Sequence, residues 1–169
     1  MQPAAIVILD TNIVLDLFLF QDPRTAALRD QLHACQIIWR STQHMRNELE
    51  RVLAYVHIQA KLAYYQKSPA DILAAFDQFA VTTPAPSAKA PYTCKDADDQ
   101  PFIDLACHLA GQQMMEAAEH LAGAAPGRPA EAQSHSRAQV QLISKDKAVL
   151  CMRKRLEKLS VIVTMTHLA

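Results

Sequence analysis

Glycine is nearly missing: the 169-residue chain has three, and none precedes Gly111. A dinucleotide-binding enzyme needs glycines in its first strand-to-helix turn so that backbone can approach a pyrophosphate, and that class is excluded. Long apolar runs are absent too, as no stretch reaches the roughly 18 residues that a membrane helix requires. The opening MQPAAIVILD lacks a basic segment followed by an apolar stretch and a small-residue cleavage site. The expectation is a soluble, cytoplasmic protein with no membrane partner. The four cysteines, Cys35, Cys94, Cys107 and Cys151, form no C-x-x-C pair and have no histidine at zinc-ligand spacing, so they read as small buried apolar residues. The seven histidines are dispersed and none is assigned a catalytic role. Excess charge is lacking as well: 17 Lys and Arg face 17 Asp and Glu. This removes the simplest electrostatic argument for a nucleic-acid partner, since phosphate-binding proteins usually carry surplus cations.

Half of the residues are apolar, enough to bury one sizeable core, and the expectation is one domain over residues 1–169. Ala4-Ala5-Ile6-Val7-Ile8-Leu9 is an uninterrupted apolar run ending at Asp10-Thr11-Asn12, the pattern of a strand buried on both faces of a parallel sheet. Residues 13–20 read as helical. Asp22-Pro23 gives a second helix start, with Asp as N-cap and Pro at the first helical position, and Ile37-Ile38-Trp39 reads as a short strand. From an N-cap at Thr42, the residues Met45, Leu49, Val52, Leu53 and Val56 form the stripe of an amphipathic helix.

Ser68-Pro69 opens a further helix with Ile72, Leu73, Phe76 and Phe79 on its apolar side, and Val81-Thr82-Thr83 is a candidate strand. Residues 83–91 hold three of the nine prolines and form a loop. Asp98 or Asp99 caps a helix carrying Phe102, Ile103, Ala106, Leu109 and Ala110. A stretch rich in Ala, Gln and His at about 111–139 reads as a helical extension and then a flexible loop around 123–135. Residues 140–144 resume as a strand, 147–158 as a helix and 161–165 as a last strand. Strands alternating with helices predict a three-layer α/β/α sandwich with a mostly parallel central sheet.

In such a sheet, ligands bind where the carboxyl ends of strands meet helix amino ends. Asp10 and Asp146 each follow a strand, and Asp99 opens a helix that has to start on the same edge. At about 100° per residue, Glu48 falls roughly 90° from the centre of its helix's apolar stripe, at the border of the buried face, while Glu50 points away. Each acid also has a plain structural role open to it: an Asx turn for Asp10, an N-cap for Asp99, a solvated helix position for Glu48 and a turn for Asp146. Taken together, four acids directed to one edge repel one another unless a cation neutralises them, and hard oxygen ligands suit Mg²⁺ or Mn²⁺.

These residues resemble the PIN domain family, in particular its bacterial branch of toxins from toxin–antitoxin systems. The matching segments are Ile8-Leu9-Asp10-Thr11-Asn12 with Asp22-Pro23-Arg24 downstream, Met45-Arg46-Asn47-Glu48-Leu49, Cys94-Lys95-Asp96-Ala97-Asp98-Asp99-Gln100-Pro101-Phe102, and Leu142-Ile143-Ser144-Lys145-Asp146-Lys147. They come in the family's order. The resemblance implies that Asp10, Glu48, Asp99 and Asp146 take the metal-site positions, with Asn12 as a polar helper beside the first acid. Asp96 and Asp98 are candidate outer contributors, and Lys145 and Lys147 candidate phosphate contacts. Asp104, turned from Phe102 and Ala106, reads as solvated. The implied activity is a metal-dependent endoribonuclease with RNA as substrate, an antitoxin protein as a candidate partner, and a candidate homo-oligomer.

The chain departs from the family in carrying roughly thirty extra residues between the helix after the third acid and the strand before the fourth, where relatives have a short connection. That insertion is expected at the opposite edge of the sheet from the acids, clear of the site, either serving oligomerisation or partner binding or forming a disordered loop without function. A non-catalytic PIN-like module binding nucleic acid or protein is the alternative, and the neutral charge is its best support. A phosphatase of the haloacid dehalogenase type would need a second Asp two residues after Asp10, where Asn12 stands.

Overall fold

A computed structural model of the chain describes residues 4–122 and 139–165. Five strands form one sheet in the order β3-β2-β1-β4-β5, and every neighbouring pair is parallel. They are β1 (Ala5–Leu9), β2 (Ile37–Ser41), β3 (Ala80–Thr82), β4 (Val140–Ile143) and β5 (Val161–Thr164). β1 lies in the middle, with Val7 opposite Trp39 on one side and Gln141 on the other.

The apolar run of β1 serves both faces of the sheet, as a period of two requires. Val7 and Leu9 pack with Trp39, Leu49, Leu53 and Phe76 in one core, while Ile6 and Ile8 pack with Phe102, Leu105, Ala106, Leu142 and Val163 in the other. Burying each Val, Leu, Ile or Phe among them contributes about 1.5–3 kcal/mol. On the first face lie α1 (Thr11–Leu15), α2 (Ala26–His33), α3 (Gln43–Leu53), α4 (Val56–Tyr64) and α5 (Pro69–Phe79). On the second lie α6 (Gln100–Ala122), α7 (Lys147–Cys151) and α8 (Arg153–Glu157). The α/β/α sandwich is therefore observed, and its sheet is wholly parallel.

Several helix starts are local. Thr42 caps α3 by accepting from the Met45 N–H, Asp22 accepts from the Arg24 N–H, and Ser68 with Asp71 forms a reciprocal capping box at α5. The stripe expected to carry one helix through Val56 ends earlier. Ala54 closes α3, the Gln59 side chain donates to the Leu53 carbonyl at 2.6 Å, and α4 starts afresh from Tyr55 with Val56 87 % exposed. Past α1 the chain widens into a π-helical turn at Asp16–Phe20, closed by Gln21 in the left-handed region (φ 49°). The helix expected at 147–158 is divided at Met152 into α7 and α8.

Two expectations fail here. Asp104 is not solvated: it accepts from the Ala90 N–H (2.8 Å) and the Gln100 amide (2.7 Å), tying the proline-rich loop to α6. Of the cysteines, all free, only Cys94 is buried; Cys35 and Cys151 are exposed, because the first sits in the turn that ends α2 and the second at the outer end of α7.

The first part of the insertion continues α6 to Ala122, while the loop expected around 123–135 lies outside the described residues. Toward its far end, Gln113 and Met114 line a cavity of about 300 Å³ with Gln139, Val140 and Val161, at the amino ends of β4 and β5. That is the edge opposite Asp10 and Asp146. Among the described residues no helix is long and apolar enough to cross a membrane.

Candidate active site

The site is built from the carboxyl edge of the two central strands. Asp10 follows β1, and its N–H donates to the Ile143 carbonyl at 3.0 Å, so the ladder runs right up to it. Its own carbonyl accepts from the N–H groups of Ile13 (2.9 Å) and Val14 (3.1 Å), which starts α1. Backbone hydrogen bonding on both sides leaves the side chain little freedom. The side chain is buried, and Ser144, one residue past β4, donates its hydroxyl to Asp10 Oδ2 at 2.6 Å. The same Ser144 oxygen accepts from the Asp146 N–H at 2.9 Å, so one hydroxyl locks the first acid to the loop that presents the last.

Asp146 caps α7, its Oδ1 accepting from the Ala148 N–H at 2.6 Å. Glu48 reaches the edge from α3: it is half-buried, its neighbour Glu50 is exposed, and Thr11 donates to Glu48 Oε1 at 2.9 Å. Asp99 stands immediately before α6, and its Oδ2 is buried without a hydrogen-bond partner. A buried carboxylate oxygen with nothing to accept from is costly and calls for a cation or a proton.

The electrostatics tie these four acids together. Burial pushes the Asp99 carboxyl up to about 7, and the charges of Asp146, Asp10, Asp96 and Glu48 push in the same direction. Burial also raises Asp10, with Asp146 adding to the effect while the Ser144 hydroxyl and the Asn12 and Thr11 amides oppose it. Glu48 is raised by burial and by the charge of Asp10, against the pull of Thr11, Arg51 and His44. Asp10, Glu48 and Asp99 each feel the charge of at least one other acid, yet among the described residues no three His, Cys, Asp or Glu side chains are already disposed to hold an ion. Three of the four acids are instead engaged by a local donor, Ser144, Thr11 or the Ala148 amide. Their chemistry fits a divalent ion of the Mg²⁺ or Mn²⁺ kind, since all four offer hard oxygens and one is orphaned.

The remaining expected residues fall in different places. Asn12 is exposed and acts on Asp10 through its backbone amide. Asp96 is exposed, accepts from the Asp98 N–H at 3.0 Å and adds its charge to Asp99, whereas Asp98 itself points outward. Lys145, expected as a phosphate contact, has its ammonium 2.5 Å from Asp16, which draws it toward the π-helical turn. Lys147 is exposed and pairs with no acid among the described residues.

Three residues at the site escaped the sequence reading as functional positions: Ser144, Thr11 and Asp16. A signal existed for each. Ser144 and Thr11 are hydroxyls within two residues of a strand-end acid, and Asp16 is the lone charge in the apolar run Ile13 to Phe20, which by itself implies a partner.

A parallel α/β/α sandwich with acids gathered at the carboxyl edge of its central strands belongs to the class that handles ligands at that edge. Within that class, a profile of the PIN domain family matches residues 6–112, from β1 into α6. The chain is a member of the PIN domain family, a nuclease-type fold that is generally metal-dependent. No curated protein and no solved structure matches it. The family match ends before β4, so Asp146 joins the other acids through the pairing of β4 with β1.

Proposed function

We propose that the protein is an endoribonuclease that hydrolyses RNA phosphodiester bonds with Mg²⁺ or Mn²⁺, and that it is the toxin of a toxin–antitoxin pair. The observation that carries the proposal is the buried, unpartnered Oδ2 of Asp99, whose carboxyl is raised to about 7 by burial and by the charges of Asp146, Asp10, Asp96 and Glu48. Asp10, Glu48, Asp99 and Asp146 would hold the ion. When bound, such an ion activates a water and offsets the charge that builds on the phosphate. Ser144 keeps Asp10 and the Asp146 loop in one register, and Thr11 turns Glu48 inward. With its carboxyl raised to about 7, Asp99 is about half protonated at neutral pH, and a cation would displace that proton. The toxin role rests on the likeness of the four segments to that branch of the family.

A non-catalytic module is the second reading, favoured by the zero net charge and by acids that form no ready-made chelate. Cleavage of structured and unstructured RNA with Mg²⁺ or Mn²⁺ separates the two. Wild type should cut, and Asp10→Asn and Asp146→Asn should lose at least about a hundredfold in rate, the scale of one charge-stabilising group. Equal cleavage by all three would point to a contaminant and remove the enzyme reading.

A further inference from the structure

The stretch from Arg51 to Ala70 contains no acidic residue, although the chain as a whole is neutral. It carries Arg51, His57, Lys61 and Lys67, and three of the four tyrosines of the protein. Structurally it spans the last turn of α3, the corner at Tyr55 and all of α4. This helix is poorly covered: only Ile58 and Leu62 are buried. Four of the eight large apolar side chains exposed among the described residues are here, Tyr55 (43 %), Val56 (87 %), Tyr64 (78 %) and Tyr65 (41 %). Single exposed apolar residues are ordinary, but a cluster of this density marks a surface that receives something.

Its chemistry selects the visitor. His57, Lys61 and Tyr64 recur at i, i+4 and i+7, so they form one stripe along α4, about 100° round from the buried Ile58 and Leu62. Tyr55 lies 5.8 Å from the ring of His57, and Tyr64 meets Tyr65 edge-on at 5.0 Å. Tyr65 is braced in turn against Phe20 at 5.8 Å, and the corner is fixed by the Gln59 hydrogen bond to Leu53. Each tyrosine ring thus has an aromatic neighbour, and Tyr65 has two. Arg51, His57 and Lys61 enter no ion pair among the described residues, unlike Arg24, Arg46 and Lys145. Aromatic faces interleaved with cations match unpaired bases on a phosphate backbone, whereas a duplex would hide the bases. The stripe also connects with the acids, since Arg51 lies one turn beyond Glu48 on α3 and its charge acts on that carboxylate.

We propose that Arg51, Tyr55, His57, Lys61 and Tyr64 form a track for single-stranded nucleic acid leading to the carboxylate edge. The track deepens the nuclease reading and rests on it, and it supplies the attraction that the neutral net charge does not. It is tested by fluorescence anisotropy in EDTA, where no cutting occurs, using the full chain with a short labelled oligouridylate and an RNA duplex of equal length. Wild type should bind the single strand more tightly than the duplex. Tyr55→Ala and Tyr64→Ala should each weaken binding about tenfold, and Tyr64→Phe, which keeps the ring, should not. Lys61→Glu should weaken it and flatten the salt dependence by about one unit of slope, while the same reversal at Lys154 on α8 changes nothing.

Wild-type affinity in Tyr64→Ala and Lys61→Glu, a preference for duplex, or no binding by wild type would each overturn the track. So would sedimentation showing that Tyr64→Ala splits a dimer while oligonucleotide affinity persists, since the face would then join two copies of the chain. Binding retained without Mn²⁺-dependent cleavage by wild type would sink the nuclease reading and leave the track standing. Cleavage lost in Asp10→Asn, with the track variants binding like wild type, would do the reverse.

Discussion

At the residue scale, Asp99 is where the fold gives up stability. Its carboxyl is raised to about 7 from the ordinary 3.8, so the folded chain holds this proton more tightly than the unfolded one. The sign follows: without metal, the contribution of Asp99 is neutral below about pH 4, becomes increasingly unfavourable between about pH 4 and 7, and levels off above that. The penalty is on the order of 2 kcal/mol once part of the shift is discounted for solvent relaxation. Asp99→Asn should therefore make the metal-free protein more stable than wild type at pH 8 and equal to it at pH 4, in urea melts with EDTA. If Mn²⁺ occupies the site, it should raise the wild-type melting temperature at pH 8 and fail to do so in Asp99→Asn.

Ser144 is the counterpart that holds the site in register. Ser144→Ala removes the donor to a buried carboxylate and the acceptor for the Asp146 N–H at one stroke. Loss of such a supporting partner lowers metal affinity by about 10–100-fold, read in a Mn²⁺ titration. Fold stability should drop by about 1–3 kcal/mol.

Among the elements, legibility followed the range of the interactions. Thr42 and Ser68-Pro69 announced α3 and α5 because a cap is a contact within three residues. Ser68→Ala should cost about 1 kcal/mol in urea denaturation, since it removes the hydroxyl that accepts from the Asp71 N–H and donates to Asp71 Oδ2. The division between α3 and α4 was hidden because Ala54 and Tyr55 carry none of the Gly or Pro that usually signals a break, and apolar Val56 happened to extend the stripe. The solvated reading of Asp104 and the phosphate-contact reading of Lys145 missed their partners for a related reason. Their partners, Ala90 and Asp16, lie 14 and 129 positions away, beyond anything a local pattern encodes. Glu48 shows the opposite case: helical phase alone put it at the border of the buried face, where it lies.

For the molecule as a whole, the acids gather at one edge of the sheet while α6 carries the insertion toward the other. Replacing residues 123–138 by a short linker should leave RNA cleavage and its metal dependence unchanged, as measured by initial rates. A loss of cleavage would mean that the insertion takes part in the site.

The strand order also sets when such an enzyme can come alive. β1 is synthesised well before its partner β4 and the hydroxyl of Ser144, which lie more than 130 residues further on. Until that late strand slots in beside it, Asp10 has neither its neighbouring ladder nor its anchor. On the nuclease reading, a chain still lacking residues 140–144 should therefore be inactive, because the acids have not yet been brought together.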